Sequence, residues 1–380
     1  MNKIKSLNNQ KLIKNIEQLI LQARKQVVSS VNTVMVYTYF SIGKMIVENE
    51  QEGNKRAKYG EVTLKVLSQY LTDKFGKGWT VENLTLMRKF FIVYSDNKIN
   101  NNTKKDLVNT VYQIEKQSKN TSPKFVNSVY EFDTSNKFVL SWSHYIILMR
   151  IENVAERKFY EIECAKQNWS VRQLSRQINS SLYERLALSR RKEDVLKLST
   201  KGQVIEKPSD IIKNPLTLEF LGLKTDSSYT ETKLEQAIIN KLQEFLLELG
   251  KGFLFEARQK RFTFNEQHFF VDLVFYNRLL QCYVLIDLKI DKLTHQDLGQ
   301  MQMYVNYYDR YVIKENEKPT IGILLCKEKN DALIKLTLPK DSNIYAQEYK
   351  LYLPDKKLLQ AKLKEWIKDF ESKKDKEEIK

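Results

Sequence analysis

The chain has 380 residues and a net charge of +16, because 63 lysine and arginine residues outnumber 47 aspartate and glutamate residues. Its hydrophobic content of 42% is enough for a sizeable core and predicts two domains. The basic excess favours a polyanionic partner, for which nucleic acid is the first candidate. An AT-rich genome, which enriches lysine and asparagine codons, explains the same charge without any partner.

The cysteines and the apolar runs exclude several classes of protein. Cys164, Cys282 and Cys326 are odd in number and widely spaced, which is typical of unpaired thiols in a reducing compartment. The absence of a CxxC motif or Cys/His cluster argues against a zinc site. The apolar runs are far shorter than the roughly 20 residues that span a bilayer, and the N-terminus lacks the apolar core of a signal peptide. We therefore expect a soluble, cytoplasmic protein.

The first half of the chain repeats apolar residues at helical spacing. Two helices are predicted between about residues 10 and 46. Further helices are predicted over Tyr59–Phe75, behind an N-cap at Thr80, over Tyr145–Arg150 behind Ser143, over Asn153–Gln167, and over Trp169–Leu186 behind Ser170. Residues 96–123 are rich in Asn, Lys, Ser and Thr, which predicts a flexible insertion. The sequence thus predicts an all-α N-terminal domain over residues 1–197.

The second half changes to strand-like runs. The glycines and prolines of residues 198–229 predict a linker, although its leucines must pack. The elements predicted next are a helix over Leu234–Leu249, strands over Phe253–Phe264, His268–Tyr276 and Gln281–Ile290, a helix over Thr294–Tyr311 and a strand over Thr320–Cys326. This order predicts an α/β domain over residues 230–352, followed by a charged helix over residues 353–380.

Two carboxylates interrupt the apolar strands. Asp272 lies within Phe269–Phe275, and Asp287 lies near the end of the next run. Burying an unpaired carboxylate costs several kcal/mol or more, whereas two on neighbouring strands can share Mg²⁺ or Mn²⁺. Lys289 is two residues after Asp287, so both side chains face the same way along a strand. That lysine can hold an attacking water or offset charge on a phosphate.

Nearby residues complete the predicted site. Gln300 and Tyr304 are one helical turn apart and can both face the strand ends. Glu235, on the preceding helix, can supply a further metal ligand, and Arg258 and Gln259 can approach a phosphate. The alternative is a structural ion pair between Asp272 and Lys289, with no catalytic role.

These motifs resemble a known nuclease superfamily. Asp272 followed by Asp287-Leu288-Lys289 resembles the PD-(D/E)xK signature, and Gln300 with Tyr304 resembles the QxxxY motif of its RecB-like branch. More closely, the chain resembles the bacterial YhcG-like family over nearly its whole length outside the insertion. The segments that carry this resemblance are Leu140–Tyr145, Asn168–Leu174, Phe245–Gly250, Val271–Tyr276 and Gly299–Met301.

The resemblance implies an α+β protein with a helical N-terminal domain and a restriction-endonuclease-like C-terminal domain around a central mixed sheet. It implies metal ligands at Asp272 and Asp287, with Glu235 as the acid of the first helix. It further implies that Lys289 is the catalytic lysine and that Gln300 and Tyr304 form the helix motif. Many members carry Glu where this chain has Asp287, and the proline of the general signature is absent before Asp272.

A second surface for nucleic acid is predicted in the N-terminal half. Arg172 and Arg176 face away from the apolar side of their helix, which follows a short turn. Such a pair of helices can form a helix-turn-helix that contacts the major groove of DNA. A solvated amphipathic face explains the same arginines.

Two functions follow as hypotheses. The first is a metal-dependent DNA nuclease, structure-specific or not, in repair, recombination or defence, acting alone, as a homo-oligomer or with a defence-system partner protein. The second is a catalytically weak or inactive DNA-binding or protein-interaction module on a nuclease fold. DNA and RNA substrates, and endonuclease and exonuclease action, fit the sequence equally well.

Overall fold

A computed structural model describes residues 31–50, 57–95, 138–189, 192–223, 229–339 and 341–365. The helix predicted before residue 31, the insertion predicted at 96–123 and the end of the C-terminal helix lie outside these ranges. The chain forms two compact units, Met1–Glu152 and Asn153–Lys380. Within the described ranges, no helix is both long enough and apolar enough to cross a membrane.

The first unit is all-α over its described residues, as predicted. Its helices are α1 (residues 31–50), α2 (Ala57–Phe75), α3 (Val81–Ser95) and α4 (Trp142–Leu148). The predicted N-cap at Thr80 is confirmed, because its hydroxyl accepts a hydrogen bond from the Asn83 amide at 3.3 Å. Helix α4 begins earlier than predicted, since Ser141 rather than Ser143 occupies the N-cap position.

Aromatic rings fill the core of the first unit. Phe90 is fully buried, and its ring contacts those of Phe138, Trp142 and Tyr145 at centroid distances of 4.9, 5.3 and 5.1 Å. Helices α1 and α3 approach closely at Gly43, where an added Cβ would lie 2.1 Å from the Met87 carbonyl oxygen. Only glycine permits this contact.

The second unit combines helices with one sheet. Its helices are α5 (Val154–Gln167), α6 (Val171–Asn179), α7 (Leu182–Leu188), α8 (Lys192–Lys201), α9 (Glu231–Asn240), α10 (Leu242–Leu249), α11 (His295–Tyr311), α12 (Asp331–Thr337) and α13 (residues 356–365). Its strands are β1 (Leu216–Thr217), β2 (Phe253–Phe264), β3 (Gln267–Asn277), β4 (Cys282–Lys292), β5 (Ile321–Glu328) and β6 (Ile344–Lys350).

The sheet has the order β1-β6-β5-β4-β3-β2. Strands β2, β3 and β4 are antiparallel neighbours, whereas β4, β5, β6 and β1 run parallel, so the predicted mixed sheet is confirmed. Both faces are covered by apolar cores. Leu273 and Ile286 belong to the core beside α9 and α10, and Val274 and Leu285 belong to the core beside α11. Burial on both faces explains the nearly continuous apolar runs of the central strands.

Two predicted helices are each divided in the structure. The helix predicted over Leu234–Leu249 breaks at Lys241, whose backbone leaves the helical region at φ −122° and ψ 35°. The helix predicted over Trp169–Leu186 breaks at Ser181, which has a φ of +53°. This turn frees the Ser180 carbonyl to accept a hydrogen bond from the buried Arg185 guanidinium at 2.7 Å.

Part of the predicted linker belongs to the sheet. Leu216 and Thr217 pair in parallel with Tyr349 and Lys350 at the edge of the sheet. Strands β1 and β6 and helices α8 and α12 were not predicted, because such short elements show little periodicity. Helices α5 to α8 fall within the same compact unit as the sheet. The domain boundary predicted at residue 197 therefore does not coincide with the division between the units.

Candidate active site

The two predicted acids meet on neighbouring strands. Leu273 of β3 pairs with Ile286 of β4, and Asp272 and Asp287 lie immediately beside that pair. Asp272 is held at both oxygens: Oδ1 accepts from Gln259 Nε2 at 2.9 Å, and Oδ2 accepts from the Leu288 amide at 2.8 Å. The strand register thus brings together the half-buried carboxylate of Asp272 and the buried carboxylate of Asp287.

Asp287 is less well satisfied. Its side chain is buried, and Oδ2 lies 2.9 Å from Lys289 Nζ. The Lys289 ammonium is its charged partner, and no other donor of the described residues bonds to Oδ2. Burial, and then the charge of Asp272, raise the pKa of Asp287 to about 7, although Lys289 opposes the shift. A buried carboxylate in this state favours a cation or a proton.

Lys289 stands among three acids. Its Nζ lies 2.9 Å from Asp287, 3.8 Å from Asp297 Oδ1 and 3.9 Å from Glu231 Oε2. Burial lowers the pKa of Lys289, but the neighbouring acids raise it further, so the net direction is upward. Glu231 and Asp297 were not predicted from the sequence to belong to the site. Asp297 could have been found from the capping box that it forms with Thr294 at the start of α11.

Glu235 reaches the site through Gln259. The buried Glu235 carboxylate accepts from Arg258 Nε at Oε1 and from Gln259 Nε2 at Oε2, the latter at 2.6 Å. The same Gln259 nitrogen donates to Asp272, so one amide bridges two acids. Gln259 has a φ of +46°, which is uncommon in a strand and for a residue other than glycine. Arg258 and Gln259 both bind Glu235, and their contact with nucleic acid stays a prediction.

Gln300 and Tyr304, predicted to lie one turn apart on a helix, are in contact. Gln300 Nε2 donates a hydrogen bond to the Tyr304 hydroxyl one turn later on α11. Tyr304 is buried, and burial and then the charge of Asp287 raise its pKa, against the bond from Gln300. Tyr304 shares a core with Leu285, two residues before Asp287 on β4, so the pair lies on the same side of the sheet as that acid.

Both halves of the chain match family models. Residues 209–364 match the YhcG PDDEXK nuclease domain, and residues 15–185 match the DUF1016 N-terminal domain. The chain is 37% identical over 355 residues to the Escherichia coli (strain K12) protein described as "Putative nuclease YhcG", which covers 93% of each chain. The chain belongs to the YhcG family. It therefore carries a PD-(D/E)xK nuclease domain, as the resemblance implied.

Two solved structures resemble part of this YhcG-family chain. One is described as the crystal structure of a repair endonuclease from Pyrococcus abyssi, with 18% identity and a TM-score of 0.23 over 35% of this chain and 50% of that chain. The other is described as the structure of an EndoMS-dsDNA2 complex, with 17% identity and a TM-score of 0.24 over 35% and 49%. The chain spans about half the length of each, and nothing further follows from so limited a similarity.

The two arginines of the predicted helix-turn-helix have different environments. Arg176 of α6 bonds to Glu219 at 3.0 Å, to Glu248 at 2.8 Å and to the Thr217 carbonyl at 3.0 Å. Its guanidinium is therefore committed to contacts inside the second unit, which leaves it poorly placed for DNA. Arg172 is exposed on the same helix, and its contact with DNA stays a prediction.

The carboxylate oxygens of this YhcG-family site are suitable ligands for a hard divalent cation. Asp272 and Asp287 offer two neighbouring carboxylates, and the buried Oδ2 of Asp287 has no donor other than Lys289 among the described residues. No group of three His, Cys, Asp or Glu side chains is arranged to hold a metal in the part of the chain that the structure describes. This does not oppose magnesium, which is commonly bound by one or two carboxylates, with waters and substrate oxygens as its other ligands.

Proposed function

We propose that this protein hydrolyses phosphodiester bonds of DNA with Mg²⁺ or Mn²⁺ held by Asp272 and Asp287. The observation that carries the proposal is the buried Asp287 carboxylate, which lies beside the carboxylate of Asp272 and has no donor other than Lys289 at its Oδ2 oxygen among the described residues. A bound divalent cation supplies a Lewis acid that offsets both carboxylates and polarises a phosphate oxygen. The membership of a nuclease family supports the same reaction class.

The other residues have roles that follow from their contacts. The protonated Lys289 orients the attacking water or offsets charge that grows on the phosphate. Gln300, fixed by its bond to Tyr304, orients the phosphate or a water of the metal shell. Gln259 fixes Asp272 from the side of Glu235. Both Glu235 oxygens are engaged, so binding metal directly would require Arg258 or Gln259 to release it.

A nucleic acid is the proposed substrate because the chain carries a net charge of +16, and DNA is the first candidate. Arg172 is proposed as a contact outside the catalytic site because it is exposed on α6. We further propose a cytoplasmic role in repair, recombination or defence, in which a partner protein or a second copy can govern activity. These roles rest on the sequence and on the family.

A specific contact favours the alternative of an inactive binding module. Lys289 lies 2.9 Å from Asp287 Oδ2, so the ammonium already neutralises part of the charge that a metal would offset. In that case the protein binds DNA with a strong dependence on salt and with no dependence on divalent metal.

The test is cleavage of linear duplex, branched and single-stranded DNA, and of RNA, by purified protein with Mg²⁺ or Mn²⁺. Asp287→Asn and Lys289→Met should each lower the rate about 1,000-fold, because interactions with charge in the transition state are worth several kcal/mol. Asp291→Asn and Lys292→Met are matched controls, since both residues are exposed on the same strand. Intact substrates with wild type, together with metal-independent binding, would favour the alternative.

A further inference from the structure

Two exposed aromatic rings lie where the β2–β3 hairpin meets the end of α11. Phe264 is 54% exposed and Tyr311 is 62% exposed. Their ring centroids lie 6.4 Å apart, with the planes inclined by 36°. A single exposed aromatic residue is ordinary, but two neighbouring rings that both face solvent form a surface of defined shape.

Further rings connect this surface to the candidate active site. Phe262 stacks on Tyr307 with centroids 4.0 Å apart, and Tyr307 lies 5.3 Å from Tyr311. Phe262 also packs edge-on against Tyr304 at 5.6 Å. Phe262 and Tyr304 are buried, so these contacts fix the exposed rings against α11, the helix that also carries Gln300.

Basic side chains accompany these rings, with acids among them. Residues 256–270 contain three basic side chains, Arg258, Lys260 and Arg261, and two acids, Glu256 and Glu266. Arg258 is bound to Glu235, which leaves Lys260 and Arg261 exposed on β2, although Lys260 lies 3.8 Å from Glu256. Arg310 is also exposed, next to Tyr311 on α11. Basic and aromatic side chains thus occur together, as in surfaces that bind single strands.

We propose that Phe264 and Tyr311 form a stacking platform for unpaired bases of a nucleic-acid strand whose backbone reaches Asp272 and Asp287. This inference rests on the proposed function, because continuity with the catalytic site selects the occupant. Unpaired bases expose their faces to aromatic rings, whereas the bases of an intact duplex stack on one another. The platform therefore favours substrates with a single-stranded part.

The test is equilibrium binding of the full chain to a labelled oligothymidine and to a blunt duplex of equal length, by fluorescence anisotropy in EDTA. Phe264→Ala and Tyr311→Ala should each weaken binding of the single strand by about five-fold or more, with little change for the duplex. Phe264→Trp should retain binding. Tyr352→Ala is the matched control, because Tyr352 is 53% exposed and follows β6 towards the opposite edge of the sheet.

Three outcomes would overturn the platform: unchanged binding of the single strand, equal weakening for the two ligands, or a change in oligomeric state in the alanine variants, which would assign the rings to contact with a second copy. Binding in EDTA does not require cleavage, so the two proposals fail separately. If Asp287→Asn abolishes cleavage while the ring variants bind normally, the nuclease proposal stands and the platform falls.

Discussion

The second unit contains two clusters of buried charge that differ in how their carboxylates are satisfied. Glu248 is fully buried, and its oxygens accept from Arg185 at 2.5 Å, Arg176 at 2.8 Å and the Thr217 amide at 3.0 Å. Burial raises the pKa of Glu248, but the two arginines lower it further, to about 2. At Asp287 burial and the charge of Asp272 outweigh the opposing effect of Lys289, and the pKa rises to about 7.

The difference separates a structural cluster from a reactive one. A fully paired network in a low dielectric fixes a single arrangement of the chain. A buried carboxylate with too few hydrogen-bond donors favours an additional cation and is typical of functional sites. Both clusters consist of ordinary acids and bases, so the number of donors around each acid, rather than burial, distinguishes them.

The largest expected effect is on stability, at the paired cluster. Glu248→Gln removes the charge that compensates Arg176 and Arg185, and breaking a buried pair costs about 3–5 kcal/mol. Urea denaturation measures this change in the free energy of unfolding. Glu244→Gln, one turn earlier on the same helix, should change it by less than about 0.5 kcal/mol. Similar losses for the two variants would show that the arginines are not specifically paired.

A second prediction concerns the metal. Mg²⁺ or Mn²⁺ at about 100 times the dissociation constant should stabilise the wild type by about 2.7 kcal/mol, because only the folded chain assembles the site. Asp287→Asn should abolish this gain. Asp291→Asn should retain it. Thermal unfolding with and without EDTA provides the measurement, and an equal gain in Asp287→Asn would place the metal elsewhere.

A third prediction isolates the bridging amide. Gln259→Leu removes the donor shared by Glu235 and Asp272, so we expect a metal affinity about 10–100-fold lower, as is usual when the partner of a metal ligand is lost. Isothermal titration with Mn²⁺ reports it without reference to cleavage. Gln267→Leu, exposed at the start of β3, is the control. An unchanged affinity would reduce Gln259 to a structural contact.

The smallest effect, for a change of one pH unit, is a pair of opposite slopes in the free energy of unfolding, each up to about 1.4 kcal/mol per pH unit. The pKa of Glu248 is lowered from 4.5 to about 2, so its stabilisation is present above pH 4.5 and is lost as the pH falls through 2. The pKa of Asp287 is raised from 3.8 to about 7, so the folded state holds a proton that the unfolded state has released. Stability from Asp287 therefore falls as the pH rises from 3.8 to 7.

Denaturation in EDTA at several pH values checks both signs. The free energy of unfolding of the wild type should fall between pH 3.8 and 7, and that of Asp287→Asn should not. The wild type should also gain stability between pH 2 and 4.5, and Glu248→Gln should not. A common slope for the two variants would contradict the distinction between the clusters.

The sequence predicted strands β2 to β5 from their apolar runs, and it predicted the position of the acids because each carboxylate interrupts such a run. Asp272 and Asp287 face each other once β3 and β4 pair, and that pairing follows from two neighbouring strand patterns joined by a short turn. Gln300 and Tyr304 followed from helical spacing alone. These features depend on short separations along the chain, which patterns of residues record well.

Long-range partners were not predictable in the same way. Arg176 was interpreted as a DNA contact because its partner Glu248 lies 72 residues away and no local pattern links them. Gln259 turns towards Glu235 through a positive φ, which the sequence does not signal. Glu231 and Asp297 join Lys289 only after two helices pack around the ends of the strands.

The contacts of Glu248 also bear on where this chain can be joined to another. Arg176 and Arg185 fall within the segment that matches the N-terminal family model, whereas Glu248 falls within the segment that matches the nuclease model. A chimera joined between the two models would pair Glu248 with foreign helices. A chimera thus keeps Glu248 with the arginines of this chain only when the junction lies upstream of Arg176, so α6 and α7 belong to the same cooperative part as the sheet.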